Sequence, residues 1–211
     1  MQFDADLLHR VTDAVDARLS GKRLVHVHNV ADTAEEMART YAVDAFEARL
    51  AGLLHDWDKL LTDEELPARM DELDLERPDH IELLLPVLHS FTGAAAVAHE
   101  FPEIPDGVVS AIRNHTLGAV DMTDLDIVVF VSDMTEPGRS VEKSPGIAEV
   151  RSLVGEVGLD ELYFAAYRQT MRSLVERRRF IHPAAFDIWN TLVARHHPPD
   201  TSRQGDATIV G

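Results

Sequence analysis

Six side chains have the types and order of a metal-binding set: His26, the adjacent His55 and Asp56, His89, His115 and Asp133. Imidazole nitrogens and carboxylate oxygens suit hard-to-borderline divalent cations. The 211 residues include no cysteine, so a metal has to sit on His, Asp or Glu. Disulfide scaffolds, thiolate nucleophiles and iron–sulfur clusters are excluded together. Eleven histidines say little until helical phase shows which of them converge. His26 shares a face with Val30, Thr33 and Met37 and points inward, whereas His28 points elsewhere and reads as a surface residue. His55 continues the stripe Ala48, Ala51, Gly52, so an imidazole and the Asp56 carboxylate emerge at the end of the apolar segment LAGLLHDWDK. His89 lies on the side of Gly93 and Ala96, His115 on that of Val108 and Ile112, and Asp133 ends the apolar run LDIVVFVSD. Singly, each has an ordinary reading as a core imidazole, a cap or a paired carboxylate.

Placed on separate predicted helices in the order H…HD…H…H…D, these residues form the kind of set that helical bundles use to hold metals. They exceed the needs of one tetrahedral ion, which points to two ions bridged by Asp56. An ion pair of this kind activates water and stabilises the attacking and leaving oxygens of a phosphoryl group. The expected substrate is therefore a phosphate ester or anhydride.

The elements that must position this set are all helical, and the predicted fold is an all-α bundle. Phe3, Leu7, Val11 and Val15 recur at i+4, and Val27, Val30, Ala34, Met37 and Ala38 repeat one face further on. Asp44 with Glu47, Thr62 with Glu65 and Thr123 with Asp126 have capping-box or near-capping-box spacing. The expected helices cover 3–19, 23–41, 44–60, 62–74, 79–100, 106–116, 123–135, 145–155, 159–179 and 184–196, cut by prolines. The β-branched run IVVFV at 127–131 favours extended structure. It reads as helix because a cap precedes it and no second strand exists to pair with it. Residues 1–197 are expected to form one domain, and the polar, Gly- and Pro-containing 198–211 a disordered tail.

A formal charge of −17, from 37 acidic residues against 20 Lys and Arg, argues against a nucleic-acid polymer as partner. The acidic start MQFDADLLHR is unlike a targeting peptide, and no apolar run reaches the roughly 20 residues of a membrane span. A cytoplasmic protein without membrane contact is expected. Self-association as a homodimer stays open.

The chain resembles the HD-domain phosphohydrolases, and among them the YqeK family of symmetrical bis(5'-nucleosyl)-tetraphosphatases. The likeness runs from about Arg23 to Leu192 through RLVHVHNVADTA, AGLLHDWDK, VLHSFTGA, AIRNHTLG, SDMTEPGR and FIHPAAFDIWN. The resemblance implies hydrolysis of diadenosine tetraphosphate to two ADP at a di-iron centre, by in-line attack of a metal-bridging hydroxide. It implies that His26, His55, Asp56 and Asp133 hold one ion, and Asp56, His89 and His115 the other. Asp56 and Lys59 are the catalytic candidates, and Lys59, Arg139, Thr116 and His182 the substrate-binding ones. Iron comes from the resemblance; the ligand chemistry equally allows manganese or another divalent ion. Leu117, Ile127, Ser132 and the segment SVEKSPG after Arg139 depart from the family pattern. None is a proposed ligand, so they bear on substrate preference rather than on the existence of the site.

Alternative readings accompany these. Lys59 either grips phosphate or neutralises the end of its helix, and Arg139 either grips phosphate or pairs with Glu136 or Glu142. His182 caps a helix or lines the pocket. ERRRF at 176–180 reads as a helix terminus carrying cations, His196 and His197 as surface imidazoles, and Trp57 and Trp189 as core aromatics. The competing functions are an HD nucleotidase or phosphodiesterase for a mononucleotide or cyclic nucleotide, and a non-catalytic metal-dependent nucleotide sensor.

Overall fold

The helical period of the apolar residues is realised throughout the computed structural model, which describes residues 2–142 and 144–197, residues 2–4 as backbone only. The expected tail at 198–211 lies outside the described residues. Among the described residues there are eleven α-helices and no strand. They are α1 (Gln2–Arg18), α2 (Gly21–Thr40), α3 (Ala45–Leu54), α4 (Glu65–Glu72), α5 (Ile81–Leu84), α6 (His89–Glu100), α7 (Asp106–Asn114), α8 (Asp124–Thr135), α9 (Gly146–Leu153), α10 (Leu159–Glu176) and α11 (Pro183–His196). No single helix among them is long and apolar enough to cross a membrane.

The centre of the bundle is α8, which packs on α2, α3, α7, α9 and α10. Val128, Val129 and Val131 are completely buried, as expected for a helix that is apolar all round. Its strand-like composition is overridden at the N-terminus by a full capping box: the Thr123 hydroxyl accepts from the Asp126 N–H and the Asp126 carboxylate from the Thr123 N–H. Asp44 caps α3 by accepting from the N–H groups of Phe46 and Glu47.

The close approach of α2 and α3 depends on Gly52. A Cβ there would lie 2.6 Å from the Ala31 Cα, far inside van der Waals contact. This seam brings α2, with His26, against the end of α3, with His55.

Two expected helices end early or break. The helix expected over 44–60 stops at Leu54. Arg18 donates from Nε to the Trp57 carbonyl at 2.8 Å and pairs with Asp58 at 2.9 Å, while Trp57, Lys59 and Leu61 close i→i+3 turns. The span expected over 79–100 splits into α5, a 3-10 turn at Leu85–Val87 and α6, with a 66° bend. Pro86 lies in that turn, where it lacks an N–H for an α-helical bond.

Trp57 is buried in the core edge-on to Phe101, and the partly buried Trp189 stacks on Phe164 against that core. His196 departs from the surface reading: it ends α11, stacks on Phe164 with centroids 4.6 Å apart, and pairs with Asp160 at 3.0 Å.

Candidate metal centre

Helix ends deliver most of the clustered side chains. His26 lies within α2, but His55 and His115 are the C-cap residues of α3 and α7, His89 is the first residue of α6, and Asp133 is in the last turn of α8. Asp56 stands in the turn that replaces the expected continuation of α3. His55, Asp56, His89 and His115 are buried, and His26 and Asp133 are partly so.

All six converge. The Asp56 carboxylate divides them: Oδ2 lies 3.5 Å from His55 Nε2 and 3.8 Å from His26 Nε2, while Oδ1 lies 3.3 Å from His89 Nε2 and 3.7 Å from His115 Nε2. Asp133 Oδ1 is 3.1 Å from His26 Nε2 and 3.8 Å from His55 Nε2. Three overlapping trios have ligand atoms within 4.8 Å of one another: His26, His55 and Asp56; His55, His115 and Asp133; Asp56, His89 and His115.

Backbone and side-chain acceptors hold the outer imidazole nitrogens. His55 Nδ1 and His115 Nδ1 donate to the carbonyls of Gly52 and Ile112, each at 2.7 Å. His26 Nδ1 donates to Glu136 Oε1 at 3.1 Å. With these protons outward, the Nε2 lone pairs face the cluster, the arrangement typical of metal-binding histidines. His55 Nε2 is buried and has no hydrogen-bond partner. Such an orphaned acceptor among carboxylates and imidazoles fits a divalent cation.

The electrostatics agree. Burial alone would raise the Asp56 carboxyl, but attraction to His55 and the close approach of the His115 and His89 imidazoles hold it well below the ordinary carboxylate range. Asp133 is likewise held low against burial, by the close approach of His26 and then by Arg139 and His55. His89 is pushed down to about 4, chiefly by burial, which keeps it neutral. His55 moves upward: burial opposes its charge, yet Asp56 and Asp133 outweigh it.

Cations surround this anionic cluster. Arg23 pairs with Asp56 Oδ2 at 2.6 Å, and Lys59 Nζ lies 3.2 Å from His89 Nε2 and 3.4 Å from its Nδ1. Arg139 binds the Asp133 carboxylate and donates from Nε to the Asp133 carbonyl at 2.8 Å. The helix-terminus reading of Lys59 falls, because α3 ends five residues earlier. Arg139 pairs chiefly with Asp133 instead; its Nε is 3.9 Å from Glu136 Oε1. Thr116 and His182 line one cavity together, whose walls include none of the six clustered residues. His182 also caps α11, accepting at Nδ1 from the Ala184 N–H at 3.2 Å.

Three participants escaped the sequence reading. Glu136, almost fully buried, accepts from His26 and from Asn29 Nδ2 at 2.9 Å. Arg23 reaches Asp56, and Arg151 donates to the carbonyls of Thr135, Glu136 and Arg139 at 2.8, 2.6 and 3.1 Å. The one sequence signal was the EPGR segment, which places an acid three residues before Arg139.

A buried His/Asp cluster built from an adjacent His-Asp pair and its helical neighbours defines a class of protein: the chain belongs to the HD-domain family, whose HD domain matches residues 23–138. Within that class it groups with symmetrical bis(5'-nucleosyl)-tetraphosphatases. The enzyme of that name from Bacillus subtilis is 32% identical over 181 residues, 85% of this chain and 94% of the relative. The Staphylococcus aureus enzyme is 29% identical over 174 residues, 82% and 88% of the two chains. A crystal structure of an HD-superfamily hydrolase from Clostridium acetobutylicum superimposes with a TM-score of 0.79 at 29% identity, covering 89% of this chain and 97% of that one.

Proposed function

We propose that the chain, with residues 1–197 as its catalytic unit, hydrolyses dinucleoside tetraphosphates at their centre, converting diadenosine tetraphosphate to two ADP. Two divalent ions, iron in the first instance, are its cofactors. The observation that carries this reading is the division of the Asp56 carboxylate between two pairs of imidazoles. It supports His26, His55, Asp56 and Asp133 as ligands of one ion, and Asp56, His89 and His115 as ligands of the other, with Asp56 shared. Bound divalent ions supply Lewis acidity, lowering the pKa of water and offsetting charge on the phosphoryl oxygens.

The remaining work falls to the protein's own cations. Lys59 Nζ, beside His89, is within the cluster, and burial lowers its pKa below the usual lysine value. It is placed to donate to a phosphoryl oxygen. Arg139 lines two cavities, one of about 830 Å³ with Arg23 and His26, the other of about 330 Å³ with Asp133. A guanidinium at that boundary can grip a polyphosphate whose two halves lie on opposite sides of the cluster. Central cleavage follows from such a grip.

The test is incubation of purified, ferrous- or manganous-loaded protein with diadenosine tetraphosphate and separation of the products by ion exchange. ADP alone is the expected product. AMP with ATP would overturn central cleavage, and phosphate released only from mononucleotides would replace the substrate. Asp56→Ala is expected to abolish turnover and lower metal content while helical circular dichroism persists; retained turnover would overturn the shared ligand.

A further inference from the structure

One face of α10 joins the cluster to a second cavity. Thr170, Ser173, Leu174 and Arg177 fall at i, i+3, i+4 and i+7, and all four line both the 330 Å³ cavity that reaches Asp133 and a neighbouring cavity of about 470 Å³. The stripe covers about 10 Å of helix. The larger cavity falls within the roughly 300–1,000 Å³ of small-ligand pockets.

The two cavities carry different groups. Near Asp133 the wall has hydroxyls and the guanidinium of Arg139 beside Met134 and Ile147. The other cavity sets the apolar side chains of Leu117 and Phe180 beside Thr116, His182 and the guanidinium groups of Arg177 and Arg179. Phe180 is 85% exposed, and the core has no claim on it. Its place is set by the end of α10: the Arg178 N–H bonds the Val175 carbonyl at 3.0 Å and the Arg179 N–H the Leu174 carbonyl at 2.9 Å. This is a Schellman turn in which Arg178 takes the left-handed position, φ 53°, usually left to glycine. It stops the helix sharply and leaves Phe180 at the rim.

We propose that the 470 Å³ cavity binds the base of one nucleoside arm of the substrate, stacked on Phe180, with the ribose and phosphates following the α10 stripe past Arg177 to the cluster. A flat apolar ring open to solvent beside guanidinium groups is the surface that nucleobases stack on. Leu117 lines the same cavity and then faces the same arm. The inference deepens the hydrolase reading and rests on it for the identity of the arm.

ADP and inorganic pyrophosphate serve as probes, titrated calorimetrically into the metal-loaded full chain. Phe180→Ala is expected to weaken ADP about tenfold, a difference of about 1.4 kcal/mol, and to leave pyrophosphate within twofold. Phe180→Tyr is expected to restore the affinity. Because the side chain is exposed, its removal spares the core. Equal ADP affinity in wild type and Phe180→Ala, or no ADP binding by wild type, would overturn the base site whatever the turnover assay gives. An ADP loss on Phe180→Ala in a protein that fails to cleave the tetraphosphate would uphold the base site and overturn the hydrolase.

Discussion

The orientation of His26 depends on a carboxylate 110 residues away. Glu136 accepts its Nδ1 proton and is held in turn by Asn29, so the imidazole presents Nε2 inward without having to search rotamers. Outer partners of this kind typically contribute 10–100-fold in metal affinity or activity. Glu136→Gln is expected to cost about tenfold in metal affinity, read by competition with a chromophoric chelator, with the helical dichroism unchanged. Wild-type affinity would make Glu136 a packing residue only. The six clustered His and Asp residues were legible in the sequence because the four histidines continue apolar stripes and the two aspartates stand at the ends of apolar runs. Glu136, Arg23 and Arg151 were not, because their roles exist only through partners: 110 residues apart for Glu136 and His26, 33 for Arg23 and Asp56, and backbone carbonyls for Arg151.

At the scale of the element, the seam between α2 and α3 has no room for one extra methyl. Gly52→Ala, which sets a Cβ 2.6 Å from the Ala31 backbone, is expected to cost about 1–3 kcal/mol. Thermal unfolding would show the loss, and metal affinity should fall with it as His26 moves away from His55. A second device is Arg151, whose one guanidinium holds three carbonyls around the EPGR turn. Lysine has no such fork. Arg151→Lys is expected to raise KM several-fold by loosening Arg139; an unchanged KM in steady-state assays would show that the turn holds itself. Helix existence was readable from period and caps, as α8 illustrates. The break after Leu54 was not, since it depends on Arg18 reaching the Trp57 carbonyl from α1. The helix expected over 79–100 runs straight through Pro86, whereas the structure breaks there and turns the chain by 66°, so that His89 begins a new helix.

Across the whole molecule, the cluster ties together α2, α6, α7, α8 and the turn that follows α3. A cation bound there favours the folded state by about 2.7 kcal/mol at a hundred times its dissociation constant. Chelation is therefore expected to lower the melting temperature by roughly 5–10 °C for a chain of this size, measured by calorimetry before and after dialysis. An unchanged melting temperature after verified metal removal would show that the cluster's geometry does not depend on the ion. The net charge of −17 describes the chain as a whole, yet Arg23, Lys59 and Arg139 stand at the cluster itself, a local reversal that a summed charge cannot display. Arg139 belongs to two cavities at once, and that position bears on the end of the catalytic cycle. On the proposed grip each half of a severed substrate faces its own cavity, so the two products are expected to leave in no compulsory order.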